Sequence, residues 1–546
     1  MPVLKNVIDP LTSPRLALSG RVVTMDASHR TIAKGTVYLE KGGIVAVQAT
    51  DAAPPAGFES VKRVPVGGTL YPGLIELHNH LAYNALRLWQ VPKKYENRDE
   101  WGGKRNKEYR PAISGPMTVL GKSPGLLPAL IRYVEAKCLV AGVTTSQGIE
   151  LFSNRGARRY YRGIVRNVEN TEDAGLPNAS AKISDVEAAN ARKFFAKLQK
   201  ENCFLLHLSE GTNAAARAHF KALEFAPSEW AVSKALAGIH CAALTAADLD
   251  AYGSLEGALI WSPMSNLLLY GKTARVADAK RFGVRIGLGS DWSPTGSKNL
   301  LGELKVARLA SSPSAFSDAD LVDMVTRTAA SILGWDAALG SLEAGKRADL
   351  IAVRGASGDP YGALIAAKET DVRLVVIGGV PRFGLPSLFT KLGTVAKEKV
   401  RIGGNLRALN LDQADGDPVV GGITLEKARD TLRDALDRLP DLAHDLENQP
   451  HNAMAVMGGG RLTWSLALDE IEETGMEVRP RLRTARGRAT GPRIDRSAVS
   501  AVPLSTVLQP LELDPLTVAD DNDFLDTVEL QRNLPAAVRT RLRGLY

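Results

Sequence analysis

The chain has 546 residues, of which 45% are hydrophobic and 23% are charged. This composition is typical of soluble globular proteins, and at roughly 150 residues per domain the length predicts two to four domains. The net charge of +8 is too small to indicate a nucleic-acid partner, and three scattered cysteines exclude a disulfide framework or a cysteine-rich zinc site.

The N-terminal segment has no basic start followed by an apolar run, and the sequence has no stretch of about 18 apolar residues. We therefore expect a cytoplasmic protein with no secretory signal and no membrane span. The first predicted elements are the β-like runs RLALSGRVVTM (15–25) and GTVYLEKGGIVAV (35–47), with a hairpin at Gly42-Gly43.

Between about residues 70 and 340, short apolar runs alternate with helical patterns. This alternation is the pattern of a (β/α)8 TIM barrel, and the length fits one barrel. The clearest strand candidates are CFLLHL (203–208), GALIWS (257–262) and GVRIGLGS (283–290). Helices are predicted over residues 187–201 and from Thr245, which has Asp248 three residues later as in a capping box.

A second β-rich block follows, with ADLIAVRG (348–355) and DVRLVVIGGVPRFG (371–384). We expect it to pair with the N-terminal strands. The predicted fold is therefore α/β and has three parts: a small discontinuous β-sandwich domain (1–70 with 340–400), the TIM barrel (71–339), and an extra mixed α/β C-terminal region of unassigned role (401–546).

The C-terminal region has two distinct patterns. Residues 423–440 predict an amphipathic helix whose apolar face consists of Leu425, Ala428, Leu432, Ala435, Leu436 and Leu439. The second pattern is an arginine-rich stretch that predicts a flexible basic loop, and the alternative is a segment that contacts an anion or a polymer. Its arginines are Arg479, Arg481, Arg483, Arg486, Arg488, Arg493 and Arg496.

His78 and His80 form an H-x-H pair after the apolar stretch TLYPGLIEL. In a strand, side chains two residues apart point the same way, so at the end of a barrel strand both imidazoles can bind one metal ion. An isolated pair of this kind is more often a chance pair on a surface strand. The rest of the barrel segment decides between the two interpretations.

Four more residues follow strand candidates in the same segment: His207, with Glu210 three residues on, then His240 and Asp291. Singly, these fit a buried core histidine, a solvated glutamate or a helix N-cap aspartate. Together with the H-x-H pair, they predict a metal site at the mouth of a barrel, where active sites of this fold lie.

This order of motifs resembles the amidohydrolase superfamily, in particular the branch with cytosine, guanine and S-adenosylhomocysteine deaminases and the triazine hydrolases. The resemblance covers about residues 15–395. The segments that resemble the family are PGLIELHNH, HLSEG, GIHCAALTAADL, SPMSNLLL, GLGSDWSPTGSKNLLGELKVA and ILGWDAALGSLEAGKRADLIAV.

The resemblance implies that one divalent metal ion is held by His78, His80, His207 and Asp291. Zn²⁺ is the expected ion, with Fe²⁺ and Mn²⁺ as alternatives. The resemblance also implies Glu210 as proton shuttle and His240 as a hydrogen-bonding group near the activated water. On chemical grounds, the Asp291 carboxylate can also accept a proton from that water. Two-metal members of the superfamily use a carboxylated lysine on the fourth strand. Lys182 lies in about that region, but we expect it to be an ordinary surface lysine.

Substrate contacts are expected in the loops after His80 and Asp291, which contain Tyr83, Asn84, Trp89 and Trp292. Aromatic rings there can stack on a heterocycle, and simple loop packing is the alternative. The polar stretch at residues 93–110 is expected to be either a lid or a solvated loop.

The sequence thus predicts a metal-dependent hydrolase that cleaves a C–N bond of a small molecule, by deamination of an amino-heterocycle or opening of a cyclic amide. Hydrolytic dechlorination, or displacement of another leaving group, is the second hypothesis. A non-catalytic scaffold is the third, and it is disfavoured because all the expected ligands are present. Homo-oligomer formation is left open.

Overall fold

The computed structural model describes residues 15–102, 106–123, 125–186, 188–413, 416–448, 462–468 and 502–546. The Arg-rich stretch at 479–496 lies outside these residues. Within them, no helix is both long and apolar enough to cross a membrane.

The strands are β1 (Leu16–Val23), β2 (Thr31–Glu40), β3 (Gly43–Ala49), β4 (Arg63–Pro72), β5 (Leu74–Glu76), β6 (Val143–Ser146), β7 (Glu150–Ser153), β8 (Arg158–Tyr160), β9 (Arg166–Asn167), β10 (Ser180–Lys182), β11 (Phe204–Leu208), β12 (Glu224–Ala226), β13 (Glu229–Trp230), β14 (Leu236–His240), β15 (Ala258–Trp261), β16 (Arg285–Leu288), β17 (Leu350–Arg354), β18 (Val372–Ile377), β19 (Val380–Gly384), β20 (Glu398–Ile402), β21 (Asn405–Leu409) and β22 (Trp464–Leu466).

The α-helices are α1 (Gly115–Lys122), α2 (Leu126–Val140), α3 (Ala191–Leu198), α4 (Ala214–Lys221), α5 (Ala246–Ser254), α6 (Pro263–Tyr270), α7 (Val276–Arg281), α8 (Leu300–Ala310), α9 (Asp318–Asp323), α10 (Arg327–Leu333), α11 (Pro360–Ala366), α12 (Pro386–Lys391), α13 (Leu425–Asp437), α14 (Leu439–Glu447), α15 (Leu504–Val507), α16 (Phe524–Leu530) and α17 (Ala536–Arg541). Short 3-10 helices cover Leu81–Ala85, Arg98–Glu100, Ala188–Asn190, Glu369–Asp371, Val518–Asp520 and Arg543–Leu545, and a π-helix covers Arg110–Ser114.

The strands near the start of the chain pair with those after residue 350 in one continuous nine-stranded sheet, in the order β20-β21-β19-β18-β17-β4-β1-β2-β3. The sheet continues past residue 400, because β20 and β21 pair onto β19. The hairpin between β2 and β3 turns at Lys41-Gly42, one residue before the predicted position, and both residues have positive φ (50° and 76°). Two such residues are what a tight type I′ hairpin requires.

The middle of the chain forms a three-stranded parallel sheet, β5-β6-β9, and a five-stranded one, β10-β11-β14-β15-β16. A backbone hydrogen bond from Ala179 N to Val168 O (2.8 Å) links the ends of the two sheets, and another runs from Leu77 N to Leu288 O (3.4 Å). Helices alternate with these strands. The arrangement is TIM-barrel-like, and the carboxyl ends of the strands lie on one side.

The predicted helices are present, with changes at their ends. The capping box at the start of α5 is confirmed: Thr245 Oγ1 accepts from Asp248 N, and the Asp248 carboxylate accepts from Thr245 N (3.0 Å). The predicted helix at 423–440 ends at Asp437, and the next helix, α14, begins at Leu439. All six predicted apolar residues of that face are buried.

Candidate metal centre

Three histidines and one aspartate come together at the carboxyl ends of the parallel strands. His78 and His80 follow β5, His207 lies within β11, and Asp291 comes three residues after the end of β16. Nε2 of His78 lies 3.1 Å from Oδ1 of Asp291, and Nε2 of His80 lies 3.4 Å from the same oxygen. The candidate ligand atoms of the three histidines lie within 4.8 Å of one another. We call His78, His80, His207 and Asp291 the metal centre.

Hydrogen bonding at Nδ1 fixes the orientation of the His78 ring. Its Nδ1 lies 2.8 Å from Oε1 of Gln147, an oxygen that also accepts from the backbone N–H of Asn79. Nδ1 must therefore donate, which leaves Nε2, the atom that faces the Asp291 carboxylate, as the nitrogen that can bind a metal ion. Gln147 was not predicted as a site residue, because it follows β6 and not one of the strands that supply the histidines and Asp291.

The charges of the other ligands fit a bound cation. Burial, assisted by the neighbouring histidines, holds the pKa of His207 well below its usual range, and its Nδ1 has no hydrogen-bond partner among the described residues. Burial alone would raise the pKa of Asp291, but the adjacent histidines outweigh it and lower that pKa. Neutral imidazoles with an ionised carboxylate are a typical donor set for Zn²⁺.

Three residues at this site have strained backbone conformations. Ser209, His240 and Asp291 have φ angles of 51°, 69° and 65°, in the left-handed region that non-glycine residues rarely adopt. Each of these residues lies where the chain leaves a strand. Strained residues of this kind cluster at functional sites because the surrounding structure enforces them.

The orientation of His240 is fixed by a chain of hydrogen bonds. Trp261 Nε1 donates to Thr273 Oγ1 (2.6 Å), and that hydroxyl donates to Asn266 Oδ1 (3.3 Å). The amide nitrogen of Asn266 is therefore the atom that lies 3.0 Å from His240 Nδ1. Because burial lowers the pKa of His240 to about 3, the ring is neutral, and its proton is on Nε2.

Glu210 lies beside His240, with 3.8 Å between Oε2 and Nε2. Burial raises the pKa of Glu210, while Arg98, whose Nη1 lies 3.8 Å from Oε2, opposes that shift. The hydroxyl of Tyr270 donates to Oε1 (2.7 Å) and accepts a hydrogen bond from Trp101 Nε1 (2.8 Å). The carboxyl group is thus held in place, with a raised pKa suited to proton transfer.

These groups face a cavity of about 130 Å³. Its aromatic walls are Tyr83, Trp101, Tyr109 and Trp292, and Arg98 and Asp99 add charge. The ring centroids of Tyr83 and Trp292 are 5.2 Å apart, and those of Trp101 and Tyr109 are 5.5 Å apart. The polar stretch at 93–110 therefore contributes part of the cavity wall through its aromatic residues, while charged residues of the same stretch, such as Lys93, Glu100 and Lys107, are exposed to solvent.

Of the other predicted site residues, Tyr83 and Trp292 line the cavity, whereas Asn84 and Trp89 are not among its lining residues. The Asn84 amide is engaged elsewhere, because it donates to Asn79 Oδ1 (2.9 Å) and accepts from Ser293 N (2.7 Å). Trp89 packs against other aromatic rings.

Lys182 is placed at the end of β10, and its Nζ donates to the backbone oxygen of Asp185 (2.7 Å). It is not among the residues that line the cavity. That Lys182 is an ordinary lysine stays a prediction.

The family model described as "Amidohydrolase family" matches residues 69–382. The chain is 22% identical over 388 residues to a 5-methylthioadenosine/S-adenosylhomocysteine deaminase of Symbiobacterium thermophilum, covering 61% of this chain and 84% of that protein. It is 28% identical over 152 residues to an S-triazine hydrolase of Gordonia rubripertincta, covering 27% and 32%.

Among solved structures, one similar fold is a mutant of the atrazine chlorohydrolase of Arthrobacter aurescens, complexed with zinc and atraton. Its TM-score is 0.51 at 20% sequence identity, and the match covers 67% of this chain and 94% of that chain. At this level of identity, the similarity shows a common fold.

Proposed function

The chain belongs to the amidohydrolase family, and from this premise we propose that it hydrolyses a C–N bond of a small amino-heterocycle and releases ammonia. It is a hydrolase that acts on carbon–nitrogen bonds other than peptide bonds. The observation that carries the proposal is the buried Glu210 carboxyl group beside the metal centre, in a cavity with aromatic walls. Opening of a cyclic amide uses the same groups.

We also propose that the eight parallel strands close into a (β/α)8 barrel over residues 71–339. Two observations support closure between the first and last strands: the hydrogen bond from Leu77 to Leu288 and the bridge between Asn79 and Asp291. In this assignment, the described residues 15–70 with 340–400 form the sheet domain, and the hairpin of β20 and β21 extends that domain past residue 400.

One divalent zinc ion would be held by the metal centre. When bound, zinc supplies Lewis acidity, which lowers the pKa of water towards about 7. Gln147 would contribute indirectly, because its oxygen accepts from Nδ1–H of His78 and so reserves Nε2 as the ligand atom.

Glu210 moves the protons. Attack of water on the ring carbon forms a C–O bond and leaves one water proton to be removed, and Glu210 accepts it. The same carboxyl group then protonates the departing nitrogen, so that the C–N bond breaks and ammonia leaves. Burial supports both steps, because it raises the pKa of Glu210 towards the working pH. The hydrogen bond from Tyr270 holds the carboxyl group in position between them.

His240 stabilises the charge that develops during the attack. Its Nε2–H faces the cavity, because Asn266 occupies Nδ1. A neutral imidazole that donates a hydrogen bond can stabilise the partial negative charge on the attacking oxygen before that charge passes into the ring. His240 therefore acts as a hydrogen-bond donor and not as a base.

This role makes Asn266 a positioning residue. In the Asn266→Ala variant, His240 Nδ1 loses its donor, and the ring is free to place its proton there instead. We expect kcat to fall roughly tenfold to a hundredfold, with the zinc content unchanged. Steady-state kinetics together with metal analysis measures this. A kcat within twofold of wild type would show that Asn266 does not control the His240 tautomer.

The aromatic walls favour a planar ring as substrate. Tyr83 and Trp292 lie on one side of His80, and Trp101 and Tyr109 come from the polar stretch at 93–110. Rings of this kind stack on flat heterocycles. Displacement of chloride from a triazine is the second candidate, and the local similarity to an S-triazine hydrolase favours it.

A screen for the leaving group tests the proposal. Purified zinc-loaded protein is incubated with cytosine, guanine, 5-methylthioadenosine, an aminotriazine, a chlorotriazine and a cyclic amide, and ammonia, chloride and ring opening are measured. We expect ammonia release from at least one amino-heterocycle, abolished by removal of zinc. Release of chloride without ammonia would favour the second candidate, and no turnover of any compound would contradict the proposal.

A further inference from the structure

The C-terminal segment, residues 502–546, lies against the loops at the mouth of the barrel. The backbone N–H of Asp514 donates to Ala85 O (3.0 Å), and the Gln531 side chain donates to Trp89 O (3.0 Å). Both acceptors belong to the loop that follows the H-x-H pair. This part of the C-terminal region is therefore packed onto the site.

The carboxylate of Asp514 bridges two buried lysines. One oxygen accepts from Lys137 Nζ and the other from Lys298 Nζ (2.5 Å), and each of the three side chains is no more than 3% exposed. Lys298 also donates to Asp521 (2.6 Å), so that two buried cations face two buried anions. If one of these four side chains becomes neutral, an opposite charge is left buried without a partner, which is destabilising.

Lys137 connects this bridge with the metal centre. Its Nζ donates to Asn84 O (2.7 Å) and to Ser293 Oγ (3.0 Å). Ser293 lies two residues after Asp291, and its backbone N–H donates to Asn84 Oδ1 (2.7 Å). The Asn84 amide in turn donates to Asn79 (2.9 Å), the residue between the two histidines. This network thus holds both turns that supply proposed metal ligands. One turn follows β5 and contains His78 and His80, and the other follows β16 and contains Asp291.

We propose that Asp514 is a positioning residue of the metal centre: by bridging Lys137 and Lys298, it fixes the turns that present His78, His80 and Asp291 to the ion. The segment around Asp514 is then part of the site and not an appendage to the barrel. The inference rests on the proposed function only for the identity of the metal ligands.

Cobalt binding tests this inference without any substrate. Metal-free, full-length protein is titrated with Co²⁺, and the dissociation constant is measured from the visible absorption of the bound ion. We expect the Asp514→Asn variant to bind Co²⁺ roughly tenfold more weakly, as replacing outer-shell partners commonly does. An unchanged affinity would overturn the proposal.

The matched control is Asp173→Asn, at a buried carboxylate whose hydrogen bonds to Arg347 (2.8 and 2.9 Å) lie outside this network. We expect it to lower the melting temperature while leaving Co²⁺ affinity within twofold of wild type. A decrease equal to that of Asp514→Asn would mean that general destabilisation explains both, and would also overturn the proposal.

A double variant separates positioning from stability, and it serves alone if Asp514→Asn does not fold. Lys137→Met with Asp514→Asn removes one cation and one anion, leaving Lys298 paired with Asp521. We expect thermal stability to recover while Co²⁺ affinity stays low, because the hydrogen bonds from Lys137 to Asn84 and Ser293 are then lost. Recovery of both would overturn the proposal. A wild-type protein that binds Co²⁺ but hydrolyses no heterocycle contradicts only the proposed function.

Discussion

The Glu210→Gln variant is expected to keep its zinc and lose at least 99.9% of its turnover, a decrease of roughly 10³-fold or about 4 kcal/mol in transition-state free energy. The glutamine amide can still accept the hydrogen bond from Tyr270. It cannot take a proton from the attacking water or pass one to the leaving nitrogen. Pre-steady-state and steady-state kinetics, with metal analysis on the same sample, measure the two quantities.

Tyr270→Phe is the matched control for this experiment. It keeps the Glu210 carboxyl group and removes only the hydroxyl that donates to it, so we expect a loss of no more than about tenfold. If Glu210→Gln retained near-normal turnover, Glu210 would have no role in proton transfer. If it lost zinc as well, Glu210 would have to be counted among the metal ligands.

The His207→Ala variant is expected to lose both bound zinc and activity. His207 is buried beside His78, with 4.7 Å between their ring centroids, and its removal takes away one of the four proposed ligands. Wild-type protein should hold about one equivalent of zinc, lose activity on treatment with a chelator, and regain it with one equivalent of Zn²⁺. Metal analysis and activity after dialysis measure both.

His444→Ala provides the control, since His444 is an exposed residue of α14 and lies outside the metal centre. We expect full zinc content and activity in that variant. Two equivalents of metal in wild type, with one lost in Lys182→Ala, would contradict the one-metal assignment. Full zinc content in His207→Ala would remove His207 from the ligand set.

The ends of the barrel strands could be predicted because each candidate site residue lies at or just after the end of a short apolar run. CFLLHL and GVRIGLGS become β11 and β16, so His207 and Asp291 occur where a strand ends. In a barrel, the ends of parallel strands meet on one side, and the order of motifs therefore predicts a metal site there, whereas the choice of ligands is what the family resemblance implies.

The residues that orient this group could not be predicted in the same way. Gln147, Asn266 and Tyr270 act through contacts between elements that are distant in sequence, and nothing in their local pattern indicates a partner. The stretch at 93–110 is polar in sequence, yet Trp101 and Tyr109 from it pack over the cavity. Their burial depends on the tertiary contacts of the whole stretch and not on its composition.

The exact turn of the β2–β3 hairpin and the edge strands of the large sheet could not be predicted from the sequence either. Both Lys41-Gly42 and Gly42-Gly43 are compatible with a tight turn, and the register of β2 on β3 decides between them. The sequence assigns residues from 401 onward to the C-terminal region, although residues 401–409 belong to the hairpin of β20 and β21 at the edge of the large sheet. Pairing between distant strands leaves no signal in the hydrophobic pattern of either strand.

The position of β4 in the nine-stranded sheet has a consequence for biosynthesis. Its neighbours are β1, made just before it, and β17, which begins only at Leu350. While the barrel is being synthesised, one edge of β4 has backbone groups without their final partner, and open strand edges promote aggregation. We therefore expect a nascent chain that ends before Leu350 to expose an unpaired, aggregation-prone edge of β4. Its folding should depend on chaperones that cover this edge until β17 has been synthesised.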